Sequence, residues 1–223
     1  MSLKLFFSAV SKFTLGLLLV GVLLFLPAGT LAYPHAWLFM ALLFLPMLIL
    51  GIVLFVKAPA LLQKRLDARE KEKTQRGVVA AAGLLFIVGF VVAGLDFRFS
   101  LSLLPTPAVA VAAALLLLSY ALYAEVMREN AYLSRKIEVQ KGQKIIDTGL
   151  YGVVRHPMYA ASVLLFLSIP VVLGSAWSLL CFLPYLPVII IRIRNEEKLL
   201  SAELEGYTEY KKRVRYRLIP FVW

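Results

Sequence analysis

The sequence predicts an all-α fold: a polytopic membrane helical bundle of about four N-terminal spans plus a C-terminal helical hairpin. Three observations carry this. Of the 223 residues, 61% are apolar and only 17% charged, against about 25% charged in ordinary soluble domains. Mean hydropathy is +0.83, more apolar surface than a soluble fold of this size hides. Apolar stretches near the length of a membrane crossing recur along the chain, and a crossing needs about 20 such residues.

The first stretch runs from Phe13 to about Tyr33 and the second from Trp37 to Val56, with Pro34 and His35 in a tight, uncharged turn between them. Lys4 and Lys12 precede the first stretch, as in a secretory signal. The run is longer than a usual signal core and further spans follow, so it reads as a retained helix. Tyr33 and Trp37 suit an aromatic belt at the outer interface, with His35 between them. The third stretch is Gly77 to Leu95 and the fourth Pro107 to Ala124. Two shorter runs, Ala160–Leu173 and Trp177–Ile191, are separated by Gly174 and Ser175 and read as the hairpin.

Net charge is +11, from 24 basic and 13 acidic residues. In a soluble chain that excess suggests nucleic acid; here it orients the bundle, and no nucleic-acid partner is expected. The segments 57–76, 125–157 and 192–223, with Lys4 and Lys12, hold 23 of the 24 basic residues. An even number of crossings puts all 23 on one side, with Arg98 opposite. The positive-inside rule then places both termini, and any site for a soluble cofactor, in the cytoplasm. Nine of the 13 acidic residues lie in 125–223. The chain thus divides into a transmembrane scaffold, 1–124, with the cytoplasmic loop 57–76, and a region of polar chemistry, 125–223.

One cysteine, Cys181, excludes an internal disulfide and reads as packing. With only His35 and His156 besides, zinc ribbons and histidine-rich metal clusters are excluded, and no metal site is expected. No glycine-rich phosphate loop follows a strand pattern, so a nucleotide-like cofactor needs a non-Rossmann site.

Three strings can carry chemistry. In the segment 149–159, Pro157 suits the first position of a helix, which makes His156 a cap. That string fits a turn with interface anchors. It equally fits a ligand site at a helix N-terminus, with exposed N–H groups, a guanidinium, an imidazole and two phenols. In the segment 192–197, Arg192 and Glu196 share a helix face, four residues apart. They read as a local ion pair, or as a site where Arg192 grips an anion and Glu196 accepts from a polar cofactor. The tail 206–220 is basic and amphipathic, and its Lys211–Arg213 run suits anionic headgroups.

The order of these pieces resembles the membrane methyltransferases of the isoprenylcysteine carboxyl methyltransferase family. That family typically shows a Gly-Pro-Tyr turn, Arg-His-Pro-x-Tyr, a helical hairpin, paired glutamates and a tail Phe-Gly-x-x-Tyr-x-x-Tyr. The counterparts here are Gly149-Leu150-Tyr151, Arg155-His156-Pro157-Met158-Tyr159, Glu196-Glu197 and Tyr207-Thr208-Glu209-Tyr210. Glu129-Asn130 and Val139-Gln140 also match family positions. Leu150 stands for proline, Gln143 for a common histidine and Ala161 for glycine. The spacing from Glu197 to Tyr207 is one residue short, and the loop before Gln143 is shortened.

The resemblance implies S-adenosylmethionine (AdoMet) as methyl donor. Gln140, Gln143, Lys144, Ile145, Ile146, Tyr151, His156, Pro157, Met158, Tyr159 and Glu196 would surround it, and Arg192 would face the methyl acceptor. The implied acceptor is the carboxylate of an isoprenylated cysteine or a similar amphiphile, admitted from membrane lipid. A phospholipid amine or a small thiol is an alternative within the class. Outside it stand a sterol-reductase-like enzyme using NADPH and a non-catalytic membrane scaffold.

Overall fold

The computed structural model describes residues 3–67, 73–102, 104–134 and 139–223, with the side chains of 73–76 outside that description. Nine α-helices and one 3-10 turn make up the described residues, with no strand among them. Five helical stretches are long and apolar enough to cross a membrane, and the chain is an integral membrane helical bundle.

Helix α1 (Leu3–Ala28) starts ten residues before the expected span, so Lys4 and Lys12 ride on it. Gly29, at φ +71°, ends it, the usual left-handed glycine stop. The turn therefore lies over 29–33, and Pro34 and His35 instead begin α2 (Pro34–Lys57). A proline in the first turn has no N–H to leave unpaired. The amphipathic α3 (Pro59–Leu66) follows, then the spans α4 (Lys73–Phe99) and α5 (Thr106–Glu129).

The hairpin has a first arm, α6 (Pro157–Val172), of 16 residues. Its second arm is broken at Leu183 and Pro184 into α7 (Ala176–Phe182) and α8 (Tyr185–Glu203). The tail folds into the short helix α9 (Tyr207–Arg213). Of the basic residues used to orient the chain, Arg69, Lys71, Arg135 and Lys136, and the side chains of Lys73 and Arg76, lie outside the description.

Helix α1 packs along α4, α4 along α7, and α5 along α6. Membrane helices approach closely where small residues meet. A Cβ on Gly94 would fall 2.6 Å from the α1 carbonyl of Leu24, and one on Gly89 would fall 2.2 Å from the Phe182 ring. The resulting core takes Leu24, Phe39, Phe90, Leu116, Ile169 and Phe182 from six helices, so scaffold and hairpin share one interior. Leucines on the outer faces of α1 and α2 stay exposed, as lipid-facing surface requires.

Tyr33 faces the protein interior rather than the surrounding lipid. It is buried against Phe97 and its hydroxyl donates to the Leu173 carbonyl at 2.7 Å. Trp37 stays exposed. Nearby, the buried Asp96 accepts from the hydroxyls of Ser102 and Ser175 and from the Ser102 amide. A buried carboxylate needs such donors, and these tie the α4–α5 connection to the hairpin turn.

Candidate functional site

The site forms at the end of α5 and α6 that carries the polar segments. Asn130, which ends α5, donates from its side-chain amide to the Tyr151 hydroxyl at 2.9 Å. Its neighbour Glu129 accepts from the Leu150 amide at 3.1 and 3.2 Å. This carboxylate occupies the space a side chain at position 149 would need: a Cβ there would lie 1.4 Å from Glu129 Oε1. Gly149 also sits at φ +52°, in the region that favours glycine. The 3-10 turn Gly149–Gly152 thereby swings Tyr151 inward, where burial pushes its phenol up to about 12.

The Arg155–Tyr159 string enters α6 with His156 as its cap and Pro157 in the first turn. The chain's tail straps it down. The amides of Arg155 and His156 donate to the carbonyls of Tyr216 and Arg217, both at 2.9 Å. The buried Arg155 guanidinium donates to Glu197 at 2.7 Å and to the carbonyls of Val214 and Arg215. Arg217 reaches the other Glu197 oxygen at 2.9 Å, and His156 Nε2 stands 3.3 Å from the first. Glu197 is thus the buried hub of two guanidiniums and an imidazole.

This arrangement assigns the paired glutamates different work. Glu197 is spent inside the protein, while Glu196 lines the adjoining cleft. The Tyr159 hydroxyl donates to Glu196 at 2.6 Å and accepts from Arg192 Nε at 3.0 Å. One phenol therefore bonds both α8 residues that the i,i+4 spacing puts on one face.

Gln143, Lys144, Ile145, Ile146, Tyr151, His156, Met158, Tyr159 and Glu196 all line this single cleft. Gln140 does not line it. Its amide donates to the Tyr132 carbonyl, and its oxygen accepts from Lys64 of α3 at 2.6 Å. The Gln143 side-chain oxygen accepts from the Gln140 backbone N–H at 2.9 Å and so closes the same loop. Pro157 shapes the helix start rather than the wall, and Arg192 touches the cleft through Tyr159.

Two tail tyrosines also line the cleft, although neither had been singled out as a site residue. The Tyr210 hydroxyl donates to the Tyr151 carbonyl at 2.7 Å. Burial raises both phenols. Tyr207 is buried, yet its hydroxyl has no hydrogen-bond partner among the described residues. Buried polar atoms are nearly always paired, so this orphan points to a polar ligand. The sequence signals for it were two aromatics at i and i+3 and the match of Tyr207-Thr208-Glu209-Tyr210 to the tail motif of the resembled family.

The tail's cations are exposed and also make surface contacts. Arg213 pairs with Asp147 and Lys212 with Glu209, while Lys211 donates to Ser201.

The cleft's donor set fits an AdoMet-like molecule. Glu196 can accept from hydroxyls or an ammonium, the Tyr207 hydroxyl is unpaired, and Ile145, Ile146, Met158, Leu200 and Leu204 can hold a flat base. No group of three or more metal-ligating side chains occurs among the described residues.

Comparison with known proteins bears on the family and the fold. Residues 107–205 match the family of phospholipid methyltransferases. The whole fold is similar to the solved structure of the eukaryotic intramembrane Ras methyltransferase, isoprenylcysteine carboxyl methyltransferase. That match has a TM-score of 0.54 and 16% identity, and covers 99% of this chain and 85% of the other. A stretch of 98 residues is 33% identical to a mouse (Mus musculus) Delta(14)-sterol reductase. It covers 39% of this chain and 22% of that protein, so the chain spans about a fifth of this curated relative. The family match and the fold both support the resemblance read from the motifs of 125–223.

Proposed function

We propose that this chain is a membrane-embedded methyltransferase that takes AdoMet from the cytoplasm and an amphiphilic, lipid-like acceptor from the bilayer. The observation that carries the reading is the chain Arg192–Tyr159–Glu196 beside the unpartnered Tyr207 hydroxyl, within a cleft lined by the Arg-His-Pro-x-Tyr motif. The match to phospholipid methyltransferases supports it.

AdoMet supplies an electrophilic methyl group on a sulfonium. Its transfer is an in-line displacement, which needs alignment of donor and acceptor more than an acid or a base. Residues 143–146, Tyr151, His156, Met158 and Tyr159 would form the cofactor's walls, and Glu196 would accept from its polar end. Arg192 would hold the acceptor. A carboxylate acceptor is ionised near neutral pH and can pair with a guanidinium through two parallel hydrogen bonds. The Tyr159 hydroxyl bonds both Arg192 and Glu196, so acceptor and cofactor would be positioned by the same phenol.

The leading acceptor is the carboxylate of an isoprenylated cysteine or a similar amphiphile. A second reading, a phospholipid amine, is favoured by the family matched over 107–205. A third, NADPH-dependent reduction, rests on the partial likeness to the mouse sterol reductase. Positive charge on the segments flanking the spans supports a cytoplasmic site and cytoplasmic termini.

Calorimetry of S-adenosylhomocysteine (AdoHcy) binding to detergent-purified protein tests the reading. Micromolar binding by wild type, lost in Glu196→Ala and Tyr159→Ala, is expected. A folded wild type that ignores AdoHcy and is protected against heat by NADPH would carry the reductase reading instead.

A further inference from the structure

The scaffold half of the chain reaches the cleft at one point. Helix α3 buries Leu61 against Val126 and Tyr151, and Lys64 fastens it to Gln140 and the Ala131 carbonyl. Lys12 of α1 holds its far end through the Leu66 carbonyl at 2.6 Å. This anchoring carries Arg65, half-buried, against residues that line the cleft. Its Nη1 lies 3.5 Å from the Ser134 carbonyl and 3.6 Å from Met158 Sδ, and its guanidinium lies 5.9 Å from the Tyr123 ring centre. Ser134 and Met158 both line the cleft.

These contacts use little of what a guanidinium offers. It carries five donors in a rigid fork, and here one nitrogen makes two long bonds, one of them to a weak thioether acceptor. Among the described residues no carboxylate pairs with Arg65. A half-buried cation with no anion among the described residues is costly, and the helix that carries it, α3, follows directly on span α2. Met158 touches both the Tyr151 cluster on the Arg65 side and the Tyr159 cluster on the Arg192 side. Two guanidiniums therefore flank the Met158–Tyr159 step from different helices.

We infer that Arg65 is a second acceptor-binding residue: with Arg192 it clamps the anionic group of the amphiphile, carboxylate or phosphate, across Met158 and Tyr159. The inference rests on the methyltransferase reading for the acceptor's role, and it adds a specificity-determining residue from outside 125–223. Two forks grip a phosphate's several oxygens better than one, so Arg65 would set which anion is preferred.

The test is calorimetric titration of octyl phosphate and of octanoate into maltoside-purified protein saturated with AdoHcy. Wild type is compared with Arg65→Gln, Arg65→Met and, as an exposed-charge control, Lys57→Gln. Arg65→Met keeps an unbranched stem of similar length without the charge and carries the test if Arg65→Gln melts early. Removing one charged hydrogen-bond donor should weaken amphiphile binding roughly 10- to 100-fold, with AdoHcy affinity kept within about twofold and Lys57→Gln like wild type. A larger loss for octyl phosphate than for octanoate assigns the clamp to phosphate; an equal loss assigns it to any anion. Unchanged amphiphile binding in the Arg65 variants overturns the inference, as does equal weakening in Lys57→Gln or a parallel loss of AdoHcy. A wild type that binds AdoHcy but neither amphiphile also overturns it. Arg65-dependent amphiphile binding without any AdoHcy binding would sink the methyltransferase reading and leave the clamp standing.

Discussion

Arg155 and Glu197, 42 residues apart, form a buried ion pair of 2.7 Å that locks the entry of α6 to the cleft end of α8. The pair also gathers His156 and Arg217, so the strap, the hairpin and the cleft meet at one carboxylate. Removing one partner of such a pair leaves a buried charge uncompensated, at a cost of roughly 3–5 kcal/mol. Glu197→Ala should therefore lower the melting temperature of the purified protein well beyond Glu196→Ala. Equal thermal stability of the two variants would count against Glu197 as the structural hub.

Tyr159→Phe separates the ring from its hydroxyl. The ring still packs with Tyr185, Ile189 and Ile193, so the fold should hold. The hydroxyl's bonds to Glu196 and Arg192 are lost, and each such bond to a charged group contributes roughly 1.5–3 kcal/mol. Methyl transfer measured with labelled AdoMet should fall at least tenfold, with a modest drop in melting temperature and the protein still folded. Full activity would remove the phenol from the proposed machinery.

Tyr207→Phe should behave in the opposite way from an ordinary buried deletion. The hydroxyl has no partner among the described residues, and a buried unsatisfied group costs roughly 1–3 kcal/mol. The variant should melt at or above the wild-type temperature while binding AdoHcy more weakly. A stability loss with unchanged binding would mean that the hydroxyl serves the fold.

Gly149 and Gly142 both have positive φ, +52° and +73°, but their surroundings differ. A Cβ at Gly142 meets nothing within 4 Å, whereas one at Gly149 collides with Glu129. Gly142→Ala should lose roughly 1–2 kcal/mol, the left-handed backbone penalty alone. Gly149→Ala should displace the Glu129 carboxylate from the Leu150 amide and abolish AdoHcy binding. Parity between the two variants, in melting and in binding, would refute the steric account.

Gly89→Ala should destabilise the bundle by forcing Phe182 away from α4, since the added carbon would stand 2.2 Å from its ring. Phe182→Leu in the same chain should recover part of the melting temperature. If the double variant is no better than the single one, the strain lies elsewhere.

The all-α class and the four N-terminal spans were legible in the sequence because a bilayer permits few solutions: long apolar runs must become helices that satisfy their own backbone. The Arg-His-Pro-x-Tyr string and the Arg192/Glu196 pair were legible as local patterns, through a proline at a helix start and an i,i+4 spacing. The exact turn before α2 was not, because Pro34 serves equally as a breaker or as a first helical residue. Tyr33 read as an interface anchor, yet it is buried by Phe97 and the Leu173 carbonyl, which lies 140 residues away. The division of labour between Glu196 and Glu197 is likewise tertiary. Neighbours on one helix point about 100° apart, and only the position of α6 and the tail decides which carboxylate faces Arg155 and which faces the cleft. Gln140 turned to Lys64 and the loop for a similar reason: its partner comes from α3, 76 residues away. Composition and periodicity determined that this chain lives in a membrane as a helical bundle. Which polar side chains hold the protein together, and which are left facing the cleft, was decided by long-range packing, because a buried charge takes whatever partner the fold brings within hydrogen-bond reach.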